Sequence, residues 1–542
     1  MTITDQLSDL LAGAARSLGL TPPAVHLSPP KNPAFGDYST NLPLILARQA
    51  KKNPLDLARD LVDQLDPLPD TVAPPEITPP GFINFRLQPT YYYQVLQEIL
   101  DHPDQYGRTH RGAGQTANVE FVSANPTGPL TVGHGRQAVL GDVVASILEW
   151  HGYEVTREYY YNDAGRQMRL LAASVEARYR ELLGETTEFP EDGYQGEYIR
   201  DIARSVLATY GNALPREAPE FRREAETTIF QDIRATLEQL GVRHQIFSNE
   251  QTYYERGDID RILSELKARD LIYEKDGATW LKTTRFGKEQ DTVLIKQTGE
   301  PTYRLPDMAY HRDKFQRGFD VIVDIFGADH IATYPDVLAV LEALGMDTGR
   351  VRVLIHQFVT LVRGGEAVKM STRKANFVTL RELVDRLGKD VVRYFFIMRG
   401  MNSHLNFDLD LAEDQSEKNP VFYLQYAHAR IANILEHARA FGLEWTRRYD
   451  PKRLTTSEEF HLLKELDHIP RTWEAALDSL EPQVIAQSLQ SLATAFHKFY
   501  TECRVVTDDQ ELSRARLALV TAVKSVLRNG LELLGIAAPD RM

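Results

Sequence analysis

Along residues 116–360 the apolar positions switch repeatedly between two periods. Residues 118–122 read as a short strand, residues 135–151 carry apolar side chains at helical spacing, and residues 154–161 read as a strand again. The same succession returns later. Residues 320–326 and 351–355 are β-branched runs bounded by charged or turn residues, and a helical pattern over 334–344 lies between them. Strands alternating with helices predict a parallel, Rossmann-like α/β sheet. Residues 165–285 are mostly helical in pattern and charged, and they interrupt the alternation. They read as an insertion into the α/β core.

The pattern changes at both ends of this region. Residues 1–107 begin with a helical stretch at 4–18 and continue through a proline-rich section that includes Pro29, Pro30, Pro67, Pro69, Pro79 and Pro80. Residues 81–87 then alternate as a strand, which makes an N-terminal α+β module. Residues 107–114 are polar and glycine-rich and read as a linker. From Pro420 the pattern is wholly helical, with apolar stripes over 421–441, 466–480, 484–500 and 512–534. This predicts a C-terminal all-α bundle of about four or five helices. The expected domains are residues 1–107, 116–419 and 420–542.

Composition narrows the class. At 542 residues the chain is too long for one hydrophobic core, and 43% hydrophobic with 25% charged residues is ordinary for a globular protein. No charge-free apolar run is long enough to span a bilayer, and the first residues lack a secretory pattern, so a cytoplasmic enzyme without a membrane partner is expected. A lone cysteine, Cys503, excludes an internal disulfide and a thiolate zinc cluster. The net charge of −14 argues against nonspecific coating of nucleic acid. Residues 421–542 carry 15 Lys and Arg against 16 Asp and Glu, however. That near-neutral tail permits a nucleic-acid contact.

Two segments carry chemistry. In Glu120-Phe121-Val122-Ser123-Ala124-Asn125-Pro126-Thr127-Gly128-Pro129-Leu130-Thr131-Val132-Gly133-His134-Gly135-Arg136, a strand runs into a Pro/Gly-dense turn that opens a helix. The free N–H groups and positive dipole end of that helix suit a phosphate, with His134 and Arg136 as further donors. The second is Arg363-Gly364-Gly365-Glu366-Ala367-Val368-Lys369-Met370-Ser371-Thr372-Arg373-Lys374. Its Gly-Gly pair signals a hairpin, and the cationic loop that follows can neutralise charge developing on a polyphosphate. Alone, such a basic loop is more often solvated surface.

Together, V-G-H at a strand–helix junction and K-M-S about 235 residues later resemble the two signatures of class I aminoacyl-tRNA synthetases. The wider motifs, N-P-T-G-P-L-x-V-G-H-G-R, K-M-S-T-R-K-A-N-F-V-T-L, Ser403-His404-Leu405-Asn406-Phe407-Asp408, Tyr426-Ala427-His428-Ala429-Arg430 and Leu533-Leu534-Gly535-Ile536, resemble the arginyl-tRNA synthetase family across essentially the whole chain. The resemblance implies activation of L-arginine by ATP, with Mg²⁺ accompanying the ATP, and transfer to tRNA(Arg). It also implies no protein-bound metal or zinc, a monomer, and activation that waits for tRNA. ATP would be held by Pro129, Gly133, His134 and Gly135 from the first segment, and by Lys369, Met370, Ser371 and Arg373 from the second. His134 and Lys369 are the main catalytic candidates, with Thr131 and Ser371 beside them. Arginine would meet Glu120, Ser123, Asn125, Tyr303 and Asp307, because a guanidinium calls for bidentate acceptors.

The chain departs from the family where Thr131 replaces a usual histidine and Thr372 replaces a usual lysine, which leaves charge stabilisation to Lys369, Arg373 and Lys374. His330, after the strand at 320–326, is expected either at the sheet's ligand edge or in the core. In the bundle, Phe496, His497, Phe499, Tyr500 and Arg504 offer aromatic and cationic groups for unstacked bases. Alternative readings are another class I synthetase, which amino-acid-dependent exchange assays distinguish, or an inactive synthetase-like tRNA-binding protein. Retention of Gly133, His134, Lys369 and Ser371 argues against the latter.

Overall fold

The computed structural model describes residues 3–542 except 66, 164, 329–330, 332, 369–377 and 444–447. The expected site residues Lys369, Met370, Ser371 and Arg373, and likewise Thr372, Lys374 and His330, lie outside the described residues. The chain divides into two compact units. One comprises residues 1–106, 434–468 and 495–525, and the other comprises 107–433, 469–494 and 526–542.

The second unit is built on a five-stranded parallel sheet. Its elements are β1 (Thr116–Glu120), α1 (Val132–Trp150), β2 (Glu154–Tyr161), α2 (Gly165–Leu182), α3 (Glu197–Tyr210), α4 (Pro219–Gln239), β3 (Ile246–Asn249), α5 (Arg304–Gln316), β4 (Val321–Gly327) and β5 (Val351–His356). The strand order is β5-β4-β1-β2-β3, with every neighbouring pair parallel. The chain steps outward from β1 to β3, then returns to the other side of β1. The order therefore reverses between β1 and β4, and ligands of such sheets bind at the carboxyl ends of the strands flanking that switch point. Glu120 ends β1, and Asp324 lies opposite it in the β4 register.

One expectation needs correcting. Residues 165–285 are not one helical insertion, because β3 pairs with β2 and forms the edge of the core sheet. Helices α2, α3 and α4 form the insertion before it. After it, Ile272–Lys275, Ala278–Leu281 and Thr292–Ile295 form a small antiparallel sheet. The Gly364-Gly365 hairpin is present: both glycines have positive φ, and Val359–Arg363 pairs with Glu366–Ala367. Residues Leu405–Asp408 add a parallel strand to it.

Buried charge ties this unit together. Arg393 is fully buried and donates to the carbonyls of Leu534 (2.9 Å) and Leu240 (3.2 Å) and to Asp142 (2.7 Å) on α1. One side chain thus binds the end of the last helix, the end of α4 and the middle of α1. Gly535 has φ +70°, and a Cβ there would sit 2.3 Å from the Arg393 guanidinium, which explains the glycine in Leu533-Leu534-Gly535-Ile536.

In the other unit, helix Ile3–Ser17 accompanies a three-stranded antiparallel sheet of Tyr38–Thr40, Phe82–Phe85 and Glu76–Thr78. Tyr91 donates to Asp467 at 2.6 Å, and Lys464 pairs with Asp37 at 2.5 Å. The helices Pro420–Ala440, Ser457–Ser479, Pro482–Glu502 and Gln510–Leu533 form where a bundle was expected, but the two units share their lengths. A 24-residue helix rises about 36 Å, enough to serve two packing environments. Phe496 and Phe499 are fully buried, on the same stripe as Leu492 and Ala493. They are core residues and cannot stack on bases. Tyr500 (40% exposed) and Arg504 remain at the surface.

Candidate active site

The end of β1 is the pivot of the site. Val122 and Ser123 both have positive φ, 70° and 44°. That is strained for any side chain and most of all for a β-branched one. The Ser123 hydroxyl holds the bend by donating to Glu120 Oε1 at 2.9 Å and accepting the Tyr160 N–H at 3.2 Å. The turn that follows ends at Thr131, the N-cap of α1. The Thr131 hydroxyl accepts the His134 N–H, and the Thr131 N–H donates to His134 Nδ1 at 3.2 Å, a reciprocal cap. With Nδ1 accepting, the neutral imidazole carries its proton on Nε2 and is set to donate. Threonine is a good N-cap, which gives this departure from the family pattern a structural use.

The neighbouring residues divide by orientation. Among the described residues, a Cβ on Gly133 would have within 4 Å only Thr131 Oγ1, 3.7 Å away, so none of them crowds it. Gly135 faces inward, where a Cβ would meet Leu380 at 2.5 Å and Phe396 at 3.0 Å. Its missing side chain makes room for packing rather than for a nucleotide. Arg136 is not a phosphate donor either. It is fully buried and donates to the carbonyls of Gln357 (2.7 Å), Ser403 (3.0 Å) and Gly400 (3.0 Å), and burial lowers its pKa to about 10. The last two residues of the K-M-S-T-R-K-A-N-F-V-T-L motif, Thr379 and Leu380, meet the turn. The Leu380 N–H donates to Leu130 O at 2.8 Å, and Thr379 bridges to Thr131.

Beneath the turn lies a buried charge network. Lys314 on α5 is fully buried between Glu120 (2.5 Å) and Asp324 (2.6 Å), and Asp324 also meets His311 at 3.0 Å. Burial opposes the lysine's charge, but the two carboxylates outweigh it and raise its pKa; the ammonium and imidazole hold Asp324 below the usual carboxylate range. Glu120, Asp324 and His311 lie close enough to ligate a metal. The Lys314 ammonium already bridges the two carboxylates, so the cation of this cluster is the protein's own. Glu120 is 2% exposed and serves as a support under Ser123.

A second acidic group faces Tyr160. Glu250, directly after β3, accepts from Tyr160 Oη and from Asn162 Nδ2, both at 2.8 Å. Burial raises its pKa to about 7, with Asp307 and Asp163 adding repulsion against the Tyr160 bond. Asp307 is in the first turn of α5, and Tyr303, 66% exposed, stands just before that helix. Tyr160 stacks on Tyr310 at 4.2 Å and lies in the field of Glu250, Asp307 and Glu120 together. The expected arginine residues Glu120, Ser123 and Asp307 are thus gathered at one aromatic floor. Asn125 joins the rim, accepting the Asn162 N–H and donating to Gln167, each at 3.0 Å. Sequence reading missed Glu250 and Tyr160. The signal for Glu250 was its place one residue after a strand, and that strand had been absorbed into the insertion.

Two neighbouring carboxylates, Glu250 and Asp307, beside an aromatic floor suit a guanidinium, and a helix N-terminus nearby suits a phosphate. Three family models match the chain in order: arginyl tRNA synthetase N terminal domain over residues 1–87, tRNA synthetases class I (R), catalytic domain over 95–395, and DALR anticodon binding domain over 424–542. The chain is 51% identical over 538 residues to an arginine–tRNA ligase of Salinibacter ruber, covering 96% of each. It is 50% identical over 517 residues to one of Desulfotalea psychrophila, covering 95% of this chain and 94% of the relative. The solved arginyl-tRNA synthetase of Thermus thermophilus shares the fold, with a TM-score of 0.77 at 23% identity over 99% of this chain and all of that one. The chain belongs to the arginyl-tRNA synthetases, class I ligases of arginine and tRNA.

Proposed function

We propose that the guanidinium of L-arginine is held by Asp307 and Glu250 over the Tyr160 floor, with its α-carboxylate turned toward the α1 N-terminus, where ATP binds. The observation that carries this is Glu250: it is buried, near neutrality in its titration, and crowded by a second carboxylate. A guanidinium relieves that repulsion, and a neutral side chain does not. Ser123, Asn125 and Tyr303 line the substrate, and Glu120 sets the strained bend from below. The arginine carboxylate attacks the ATP α-phosphate, forming the arginyl-adenylate and releasing pyrophosphate. The arginyl group then passes to the terminal adenosine of tRNA(Arg), releasing AMP. Gly133 leaves room for the nucleotide. His134 Nε2–H and Lys369 meet the phosphates, supported by Pro129, Ser371 and Arg373. Mg²⁺ arrives with the ATP. The helical C-terminal region takes the anticodon, the N-terminal module touches the outer part of the tRNA, and the protein works as a cytoplasmic monomer.

The experiment is the pH dependence of arginine binding. Only ionised Glu250 pairs with a guanidinium, so the KM for arginine rises about tenfold between pH 8 and pH 6, while the KM for ATP does not follow it. Glu250→Gln has a high arginine KM at both pH values and loses the slope. A wild-type arginine KM that is flat across this range contradicts the assignment. Stability should move oppositely. The folded-state pKa of Glu250 is raised, so its contribution is fully present below the unfolded value near 4.5 and is lost as pH rises to about 7. Without arginine, Glu250→Gln is therefore the more heat-stable protein at pH 8, by on the order of 3 kcal/mol, and has no advantage at pH 4.

A further inference from the structure

Helices α2 and α3 and the loop between them grip the substrate turn at several points. Tyr198, in the first turn of α3, donates its hydroxyl to the Thr127 carbonyl at 2.8 Å. The Tyr194 hydroxyl bonds the Thr127 side chain, and Gln167 on α2 accepts from Asn125 at 3.0 Å. The grip is shaped for closeness. A Cβ on Gly128 would come within 3.0 Å of the Tyr198 hydroxyl, and one on Gly196 within 2.3 Å of its ring. The loop is itself fastened to α2, where the fully buried Ser174 accepts the Tyr194 N–H at 3.0 Å and donates to Leu170 O at 2.7 Å.

The turn needs such support. It leaves a strained bend at Val122 and Ser123, and Asn125 and Thr127 sit between that bend and the helix cap at Thr131. Within the insertion, Tyr198, Tyr194 and Gln167 meet this short segment from one side. We propose that Tyr198 is a positioning residue for arginine activation, and that with Tyr194 and Gln167 it makes the helical insertion a brace that holds the Asn125–Thr127 turn in its reactive shape. This rests on the assignment of that turn as the substrate site. A displaced turn would cost reaction geometry more than binding, because misplacement of reacting groups is felt mainly in the transition state.

The test is Tyr198→Phe, which deletes one hydroxyl, in arginine-dependent ATP–pyrophosphate exchange with tRNA present. The expected result is a kcat about 3- to 10-fold lower, the range for one neutral hydrogen bond, with the arginine and ATP KM values within about twofold. Gln167→Leu lowers kcat similarly, and the double variant loses less than the product of the two, since both side chains hold one turn. Tyr179→Phe is the control. Its hydroxyl donates to Gly211 O at 2.6 Å inside the same insertion and does not touch the turn, so exchange stays at the wild-type rate. An unchanged kcat in Tyr198→Phe overturns the inference, as does an equal loss in Tyr179→Phe. A wild-type protein without arginine-dependent exchange would instead overturn the underlying assignment of the site.

Discussion

Replacing Asp307 by alanine raises the KM for arginine by about 10²-fold or more and leaves the KM for ATP within about threefold, measured by exchange at varied concentrations of each substrate. Truncating one partner of a buried, hydrogen-bonded charge pair costs about 2–5 kcal/mol, which sets the first figure. Asp307 acts on Glu250 and Tyr160 through its charge, so it belongs to the group that would surround a guanidinium. It is also in the first turn of α5, where a carboxylate favours the helix dipole, so a purely structural role must be separated. Asp307→Asn does this by keeping shape and losing charge. Its arginine KM should stay near that of the alanine variant. Equal increases in both KM values would place Asp307 in the scaffold instead.

Lys369→Ala should slow arginine-dependent exchange by about 10²- to 10³-fold, the range for removing one preorganised donor to transition-state charge. Thr131 and Thr372 supply no cation, so Lys369 carries more of the load. After residues 369–377 the chain is pinned beside the site, and before them it is tied to the hairpin strand Val359–Arg363. The Val368 N–H donates to Leu361 O at 2.8 Å, and the Leu380 N–H donates to Leu130 O at 2.8 Å beside the cap of α1. The charge acts on the departing pyrophosphate, so the loss should appear in kcat with the arginine KM almost unchanged. Near-normal exchange in Lys369→Ala would remove the second segment from the reaction.

Much of this was legible in the sequence because most core strands are short β-branched or aromatic runs with clear boundaries. The runs at 154–161, 320–326 and 351–355 became β2, β4 and β5 with shifts of a residue at most. Strand β3 was missed. Its four residues, Ile-Phe-Ser-Asn, are too few to show a period, and they are flanked by helical stretches. With it went Glu250, whose role depends on standing at a strand's carboxyl end. Side-chain direction was equally hidden. Arg136 and Gly135 sit in the signature with His134, yet one helical turn sends them into the protein, where carbonyls and Leu380 wait. The Lys314–Glu120 ion pair joins residues 194 apart in sequence, which no local pattern announces.

The most direct test of the central claim is charging of total tRNA by the purified protein with ATP, Mg²⁺ and each labelled amino acid in turn. The account predicts that arginine alone is attached, with AMP and pyrophosphate released. It further predicts that citrulline, which has nearly the shape of arginine but no charge to pair with Asp307 and Glu250, neither is charged nor competes. Charging of another amino acid, or equal use of citrulline and arginine, would contradict it.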